Sequence, residues 1–255
     1  MKQGERIGQI LRILSEKHNA STKYLSTVLD ASESTVRRDI EFLTSVRDEV
    51  RKVHGGVVME GDRGDSEYMF ELKANVNVEL KKRIARKVVD MLDDNDSVLL
   101  DSGTTCLQIA SHIHQKQTLR IATTDLQVAA ELAKHEHIES IVIGGHIRPG
   151  YYTIGDAFAV EMLDHFSIDK AVVGADAVTI DSGVTNLAMF EVGVKRKILE
   201  IAKSKILVVD YTKFGTSTFY KVAPLSRFST VVTNRELDES YISAMRDMGI
   251  EVILT

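Results

Sequence analysis

The sequence predicts an α/β protein in two parts: a small helical unit with a β-wing, then a larger and largely parallel sheet covered by helices on both faces. Three observations carry this. Residues 3 to 43 place their apolar side chains at helical spacing in three short blocks. From Ser97 onward, short Val/Ile/Leu runs bounded by Gly, Asp, Asn or Ser alternate with helical segments, the pattern of a sheet buried on both sides. Between these regions, residues 59 to 75 are polar, with two glycines and clustered acids, and read as a linker. The division is therefore 1–58, a linker over 59–75, and 76–255.

In the first unit, Ile7, Ile10, Leu11 and Leu14 form one helical stripe ending near His18 and Asn19. Ser21 is placed to cap a second short helix with Tyr24, Leu25, Val28 and Leu29 on its buried face. Asp30 and Ala31 make the turn into a third helix, capped by Ser32. There Val36, Ile40 and Leu43 face the core, while Ser34, Thr35, Arg37 and Arg38 project away. Three short helices with a tight turn between the second and third make a helix-turn-helix unit, whose last helix reads bases with its N-terminal residues in a DNA major groove. One of Arg37 and Arg38 has Asp39 or Glu41 within helical reach as an alternative partner. Beyond Leu43, Val50 and Val53 are apolar anchors, Arg51, Lys52 and His54 are basic, and Gly55-Gly56 permits a tight reversal, which together suggest a β-wing.

Composition narrows the function classes. The single cysteine, Cys106, excludes an intramolecular disulfide and fits a reducing cytosol, where it is expected to be a packed thiol. No apolar run is long enough to span a bilayer, and the polar start lacks the core of a signal peptide, so a cytoplasmic protein is expected. A net charge of -5 argues against nucleic-acid binding over the whole surface. Residues 1–58, with 10 Lys and Arg against 8 Asp and Glu, are the one candidate segment for polyanion contact. His112/His114 and His135/His137 are spaced i, i+2, which puts the rings on different helix faces, and no metal site or cofactor is expected.

Residues 79–92 open the second part as a helix, and the run Lys81-Lys82-Arg83 is expected to be a solvated face. Strands are predicted at 98–100, 119–122, 140–143, 170–173, 206–209, 230–232 and 251–254. Ligands of such sheets bind outside the carboxyl ends of the strands. The first such loop, Asp101-Ser102-Gly103-Thr104-Thr105, joins a strand to a helix. Its glycine, hydroxyls and helix N-terminal N–H groups suit a phosphate. Thr123-Thr124-Asp125, Gly144-Gly145 with Arg148, Gly174-Ala175-Asp176, the segment from Asp181 to Asn186, Glu191 with Lys195 and Arg196, and Asp210 to Gly215 with Lys213 end or follow further strands. They return hydroxyls and carboxylates suited to sugar hydroxyls, and cations suited to phosphate.

These residues resemble a known family. The stretch from Arg6 to Leu14, then Ser32-x-x-Thr35-Val36-Arg37-Arg38-Asp39-Ile40 and Arg51-Lys52-Val53-His54-Gly55-Gly56, resembles the winged helix-turn-helix of DeoR-type bacterial transcriptional repressors. The segment from Ser45 to Glu49 departs from it, since the family usually has a glycine turn there. The motifs Asp101-Ser-Gly-Thr-Thr, Gly144-Gly145, Gly174-Ala-Asp176, Glu191 with Lys195-Arg196, and Asp210 through Lys213-Phe-Gly215 resemble that family's effector domain. Thr123-Thr124-Asp125 departs where the family commonly has asparagine and then serine. The resemblance implies that Ser34, Thr35, Arg37, Arg38, Lys52 and His54 face DNA. It also implies that the second part folds like ribose-5-phosphate isomerase and the coenzyme A transferases and binds a phosphorylated sugar through Asp101, Ser102, Gly103, Thr104, Thr105, Thr123, Thr124, Gly144, Gly145, Asp176, Glu191, Lys195 and Lys213.

The expected function is therefore a repressor of a sugar-metabolism operon, controlled by a sugar phosphate, acting on double-stranded operator DNA as a homodimer or tetramer, with no membrane partner and no catalytic residues. The competing expectation is a phosphosugar isomerase, for which Asp176, Asp181, Glu191 and Lys213 offer an acid–base set. An N-terminal DNA-reading unit has no role in isomerisation, and fold similarity carries no activity.

Overall fold

The structure, a computed structural model, describes residues 2–17, 19–47, 49–53, 56–59, 73–74, 76–116, 118–148 and 151–255. The chain forms two compact units, Met1–Tyr68 and Met69–Thr255.

The first unit contains α1 (Gln3–Lys17), β1 (Asn19–Ser21), α2 (Thr22–Val28), α3 (Glu33–Val46), β2 (Val50–Val53) and β3 (Gly56–Met59). Its core is Ile10, Leu14, Leu25, Leu29, Val36, Ile40, Leu43, Val50 and Val57. Ser21 caps α2 by accepting from the Tyr24 N–H at 3.1 Å, and Ser32 caps α3 by accepting from the Thr35 N–H at 3.2 Å. Asp30 turns the chain between them in the left-handed region, φ 45°, which short polar residues tolerate. Tyr24 and Val28, expected on the buried face of α2, are partly exposed; a seven-residue helix turns only Leu25 and the flanking Leu29 fully inward. β1 was not legible beforehand. It joins β3 and β2 in an antiparallel sheet of order β1-β3-β2. The chain reverses between β2 and β3 as expected, with Val53 opposite Gly56, and Gly56 has a further role: it also lies opposite Ser21, where a Cβ would overlap the Ala20 carbonyl, so its missing side chain lets β1 approach. Gly55 and His54 lie outside the described residues, as does most of the expected linker.

The second unit runs α4 (Val78–Asp90), β4 (Ser97–Leu100), α5 (Thr104–His112), β5 (Leu119–Thr123), α6 (Leu126–Leu132), β6 (Ile138–Val142), β7 (His146–Ile147), β8 (Ile154–Gly155), α7 (Ala157–Leu163), β9 (Ile168–Val173), β10 (Ala177–Thr179), β11 (Gly183–Asn186), α8 (Met189–Ile201), β12 (Ala202–Val208), β13 (Tyr220–Ala223), β14 (Thr230–Thr233), α9 (Glu239–Asp247) and β15 (Glu251–Leu254). The main sheet has seven strands in the order β15-β14-β12-β9-β4-β5-β6, all parallel. Strand alternation divides its side chains between two cores. Val98 and Leu100 pack with Ile84, Ile109 and Val128 of α4, α5 and α6, whereas Leu99 packs with Leu163, Ile198 and Ile242 of α7, α8 and α9. The chain moves outward from β4 to β5 and β6, then returns to place β9 on the other side of β4. The carboxyl ends of β4 and β9 thus flank the point where strand order reverses, which is where such sheets open a crevice. A smaller antiparallel sheet, β10-β11-β13, and the pair β7-β8 are additions at these ends that no hydrophobic run announced. Among the described residues, no helix is long and apolar enough to cross a membrane.

Candidate functional site

On the first unit, α3 buries Val36, Asp39, Ile40 and Leu43 and turns Ser34, Arg37 and Arg38 outward, with Thr35 half-buried. The Asp39 carboxylate, 1% exposed, is held from α1 by Arg6, through Nε at 2.7 Å and a second guanidinium N–H at 3.2 Å. This bidentate pair fixes the third helix against the first and removes Asp39 as a partner for Arg37 or Arg38. Arg37 instead pairs with Glu33 at 2.9 Å, one turn back on the exposed face. Arg38 makes no hydrogen bond among the described residues. Both Ser34 Oγ and Thr35 Oγ1 lie 2.9 Å from Ser32 Oγ. On β2, Lys52 reaches Glu41 of α3 at 2.6 Å, which ties the wing to the helix and lowers the Glu41 pKa by hydrogen bond and charge. Of the six expected DNA-facing residues, five therefore share one surface, and His54 lies outside the described residues.

On the second unit, Asp101 follows β4 and Gly174 follows β9. Asp101 Oδ2 accepts from the Gly174 N–H at 3.0 Å and from Lys195 Nζ of α8, which also donates to the Gly174 carbonyl at 3.2 Å. The Lys195–Asp101 pair is buried, at 3% and 1% side-chain exposure. Burial alone would depress the lysine, but the Asp101, Glu191 and Asp176 charges outweigh it and raise its pKa. Glu191, one turn before Lys195, lies 4.0 Å from that ammonium and accepts from Arg148 at 3.1 Å on one oxygen and from Asn186 Nδ2 at 2.9 Å on the other. Its pKa is raised, chiefly by burial. Asp176 accepts from Lys73 Nζ at 2.7 Å and from the Leu187 N–H at 3.0 Å. Burial pushes its pKa up, and Lys73, that N–H and Lys195 overcome this and bring it down to about 2. The Tyr151 ring lies under the Arg148 guanidinium at 4.0 Å and within 6.0 Å of Lys73. Three carboxylates and three cations therefore meet at the strand-order reversal.

The loop after β4 enters α5 through Gly103, at φ 111°, with no side-chain cap. The Gly103 N–H donates to Asp125 Oδ2 at 3.0 Å, and Asp125 Oδ1 caps α6 through the Gln127 and Val128 N–H groups. Burial raises the Asp125 pKa against these hydrogen bonds. The first N–H groups of a helix have no intrahelical acceptor, and Ser102, Thr104 and Thr105 stand beside those of this turn. Thr123 is occupied locally, its Oγ1 accepting from the Asp125 N–H at 3.2 Å, and Thr124 Oγ1 is buried with no partner among the described residues. Gly144 and Gly145 are both exposed, and the Gly144 N–H meets Met162 Sδ at 3.1 Å. Gly145, at φ 150°, passes within contact of Gly155, where a Cβ would sit 2.6 Å from its carbonyl, so its packing on β8 already accounts for the glycine.

Lys213 belongs to a neighbouring group. Asp210 Oδ1 accepts from Asn77 Nδ2 at 3.2 Å and from the Thr212 N–H at 3.1 Å, and the Lys213 charge faces Lys81. Lys81 was expected on a solvated face and is instead buried, its ammonium donating to the Lys73 and Val76 carbonyls. Burial lowers its pKa to about 8, with Asp210 opposing and Lys213 and Lys73 assisting. The reason for the difference is periodicity: Lys81 lies on the inward stripe of α4 with Ile84, Ala85 and Val88. Sequence reasoning omitted Lys73, Asn77, Lys81 and Tyr151 from the site; it noted Arg148 as a loop cation and Asn186 within a strand-end segment but placed neither in the effector-binding set. Arg148 and Asn186 carried a signal, a polar residue just past a glycine pair or a strand end, whereas Lys73 stood in an apparent linker.

Among known families, the model of the DeoR-like helix-turn-helix domain matches residues 6–62, and that of the DeoR C terminal sensor domain matches residues 76–235. A protein of Escherichia coli (strain K12), assigned as the sgc region transcriptional regulator, is 33% identical over 98% of this chain and 96% of its own. The HTH-type transcriptional regulator IolR of Bacillus subtilis (strain 168) is 30% identical over 98% of both chains. The glycerol-3-phosphate regulon repressor of Haemophilus influenzae is 28% identical over 100% of this chain and 98% of its own. Among solved structures, ribose 5-phosphate isomerase A from Methanocaldococcus jannaschii matches 54% of this chain and 55% of that chain at 17% identity, with a TM-score of 0.41. With both family models matched in order along most of its length, this chain belongs to the DeoR family of transcriptional regulators.

Proposed function

We propose that this protein represses a sugar-metabolism operon and that a phosphorylated sugar, bound where β4 and β9 end, controls its hold on operator DNA. The observation that carries the reading is the balanced set of Lys195, Arg148 and Lys73 with Asp101, Glu191 and Asp176, with the Lys195–Asp101 pair buried, beside the uncapped turn of α5. Such a set offers acceptors and donors to sugar hydroxyls, while Ser102, Gly103, Thr104 and Thr105 offer hydroxyls and N–H groups to a phosphate. In this reading Thr123, Thr124, Gly144 and Gly145 contribute to ligand binding, and Lys213, of the neighbouring Asp210 turn, supplies a further cation for the phosphate. In the other unit, Ser34, Thr35, Arg37 and Arg38 read bases, and Lys52 with His54 grips phosphate. The relatives described as repressors, one of them for a glycerol-3-phosphate regulon, support this division of labour.

One helix-turn-helix presents a small surface, so operator binding takes two half-sites about 34–36 Å apart and hence a dimer or tetramer in the cytoplasm. A ligand that prefers one arrangement of subunits changes the spacing of the two reading helices, a coupling of about 1–3 kcal/mol. The protein acts as a sensor and not as an isomerase. Turnover of pentose or hexose phosphates that is lost in Asp176→Asn or Glu191→Gln would overturn that statement. The direct test uses duplexes selected from a random pool by the purified protein. Arg37→Ala and Arg38→Ala abolish binding to them while a sugar-phosphate thermal shift persists, whereas Thr104→Ala and Lys213→Ala remove the thermal shift and keep DNA binding. Equal loss of both activities in either pair would refute the assignment.

A further inference from the structure

We infer that Asn186 reads a ligand hydroxyl: its side-chain carbonyl accepts from one hydroxyl of the bound sugar and so sets the preference for that hydroxyl over a deoxy position. The inference rests on the sensor reading above and names a specificity-determining residue within it.

Asn186 is the last residue of β11 and is 2% exposed. Strand alternation sends its side chain to the opposite face from Thr185, whose hydroxyl is engaged with the Ala177 carbonyl and the Thr218 N–H. Asn186 therefore faces α8, where its Nδ2 donates to Glu191 Oε2 at 2.9 Å. A carboxylate oxygen only accepts, so the amide nitrogen must be the end that meets it, and the orientation of the amide is settled. Arg148 occupies the other Glu191 oxygen, and Lys195 is engaged by Asp101 and the Gly174 carbonyl. Asn186 Oδ1 is left buried with no hydrogen-bond partner among the described residues. The next N–H along the chain, that of Leu187, goes to Asp176. The unpaired oxygen thus belongs to a side chain anchored on Glu191, next in sequence to the N–H that holds Asp176.

A buried carbonyl deprived of a donor is unfavourable, and proteins satisfy nearly all such groups. A sugar hydroxyl supplies the missing donor, whereas an inorganic phosphate held at the turn entering α5 brings no sugar hydroxyl to Asn186. A site with a buried polar group awaiting a hydroxyl discriminates strongly against ligands that lack one.

Calorimetry on the full chain, using ribose 5-phosphate, glucose 6-phosphate, fructose 6-phosphate, the 2-deoxy forms of the first two, and inorganic phosphate, tests this. Asn186→Leu is expected to weaken the sugar phosphates that bind the unaltered protein by about tenfold or more, with inorganic phosphate unchanged. A second measurement needs no altered binding site. In the unaltered protein labelled with 15N-asparagine, the Asn186 side-chain amide signal, identified through Asn186→Gln, is expected to move when a sugar phosphate binds and to stay when inorganic phosphate binds. Unchanged sugar-phosphate affinity in Asn186→Leu, equal loss of sugar phosphate and inorganic phosphate, or an amide signal indifferent to the sugar would each overturn the inference. If no sugar phosphate of the panel binds even the unaltered protein, the sensor reading falls and takes this inference with it. That outcome is distinct because it appears without any substitution.

Discussion

Replacing Lys195 by methionine is the sharpest test of how the sensor unit is held together. The ammonium is 3% exposed and satisfies Asp101, itself 1% exposed, and stands 4.0 Å from Glu191. Methionine fills a similar volume but leaves Asp101 with the Gly174 N–H, and places two buried carboxylates near one another without their shared cation. Removing one partner of a buried ion pair costs about 3–5 kcal/mol, a large part of the roughly 5–15 kcal/mol that holds a typical domain. The unaltered protein should show no matching weakness at neutral pH. The folded pKa of Lys195 is raised, so its contribution is fully present below the unfolded value of about 10.4 and is lost only as pH rises through the higher folded value. In Lys195→Met the stranded carboxylates are expected to take up protons more readily, so the deficit should shrink as pH falls from 7.5 toward 5. Urea unfolding followed by circular dichroism at both pH values measures this. A companion Asp101→Asn and the double variant complete a cycle, and the double variant should be less damaged than the two single losses combined. A deficit under about 1 kcal/mol at pH 7.5, a deficit that grows on acidification, or strictly additive losses would refute the view that these groups form one charge-balanced unit.

Three other perturbations isolate single causes. Gly103→Ala adds a Cβ that meets nothing within 4 Å, so its cost, about 1–3 kcal/mol, comes from the φ of 111° alone; calorimetric melting should show it together with weaker inorganic phosphate binding. Gly56→Ala drives a Cβ into the Ala20 carbonyl and should separate β1 from β3, melting the DNA-binding unit earlier by about 1–3 kcal/mol while the transition of the sensor unit stays in place. Lys81, lowered to about 8, has the opposite sign to Lys195: between pH 8 and about 10.4 the unfolded chain keeps a proton that the folded one sheds. Stability should therefore rise with pH across that window by up to about 3 kcal/mol relative to Lys81→Met, measured as the difference in unfolding free energy at pH 8 and pH 10.

The seven strands of the main sheet were readable through their apolar runs, most plainly in β4, where burial on both faces leaves no polar face to obscure the run, whereas β6 and β12 begin earlier, taking in polar residues. The caps were readable for a similarly local reason, since a hydroxyl one turn before an apolar stripe satisfies N–H groups only three residues away. Strand ends told where to look for chemistry, and Asp101, Asp176, Glu191 and Lys195 do converge there. The small sheets gave no such sign, because β7, β8 and β10 are two or three residues long, too short for a period to show. Lys81 read as solvated because its neighbours in sequence are charged, whereas its exposure is set by the register of a helix against the sheet.

The hydroxyl-and-arginine face of α3 was likewise fixed locally, by the spacing of Val36, Ile40 and Leu43, which forces Ser34, Arg37 and Arg38 outward whatever the rest of the chain does. Which partner each charge takes was not local at all. Arg6 meets Asp39 across 33 positions, Lys195 meets Asp101 across 94, and Lys73 meets Asp176 across 103. Periodicity and capping are properties of a few consecutive residues and are written in their order. Ion pairing and the unpaired oxygen of Asn186 depend on distances that exist only once helices and strands have packed, and a charge or amide in sequence carries no mark of the group it will face.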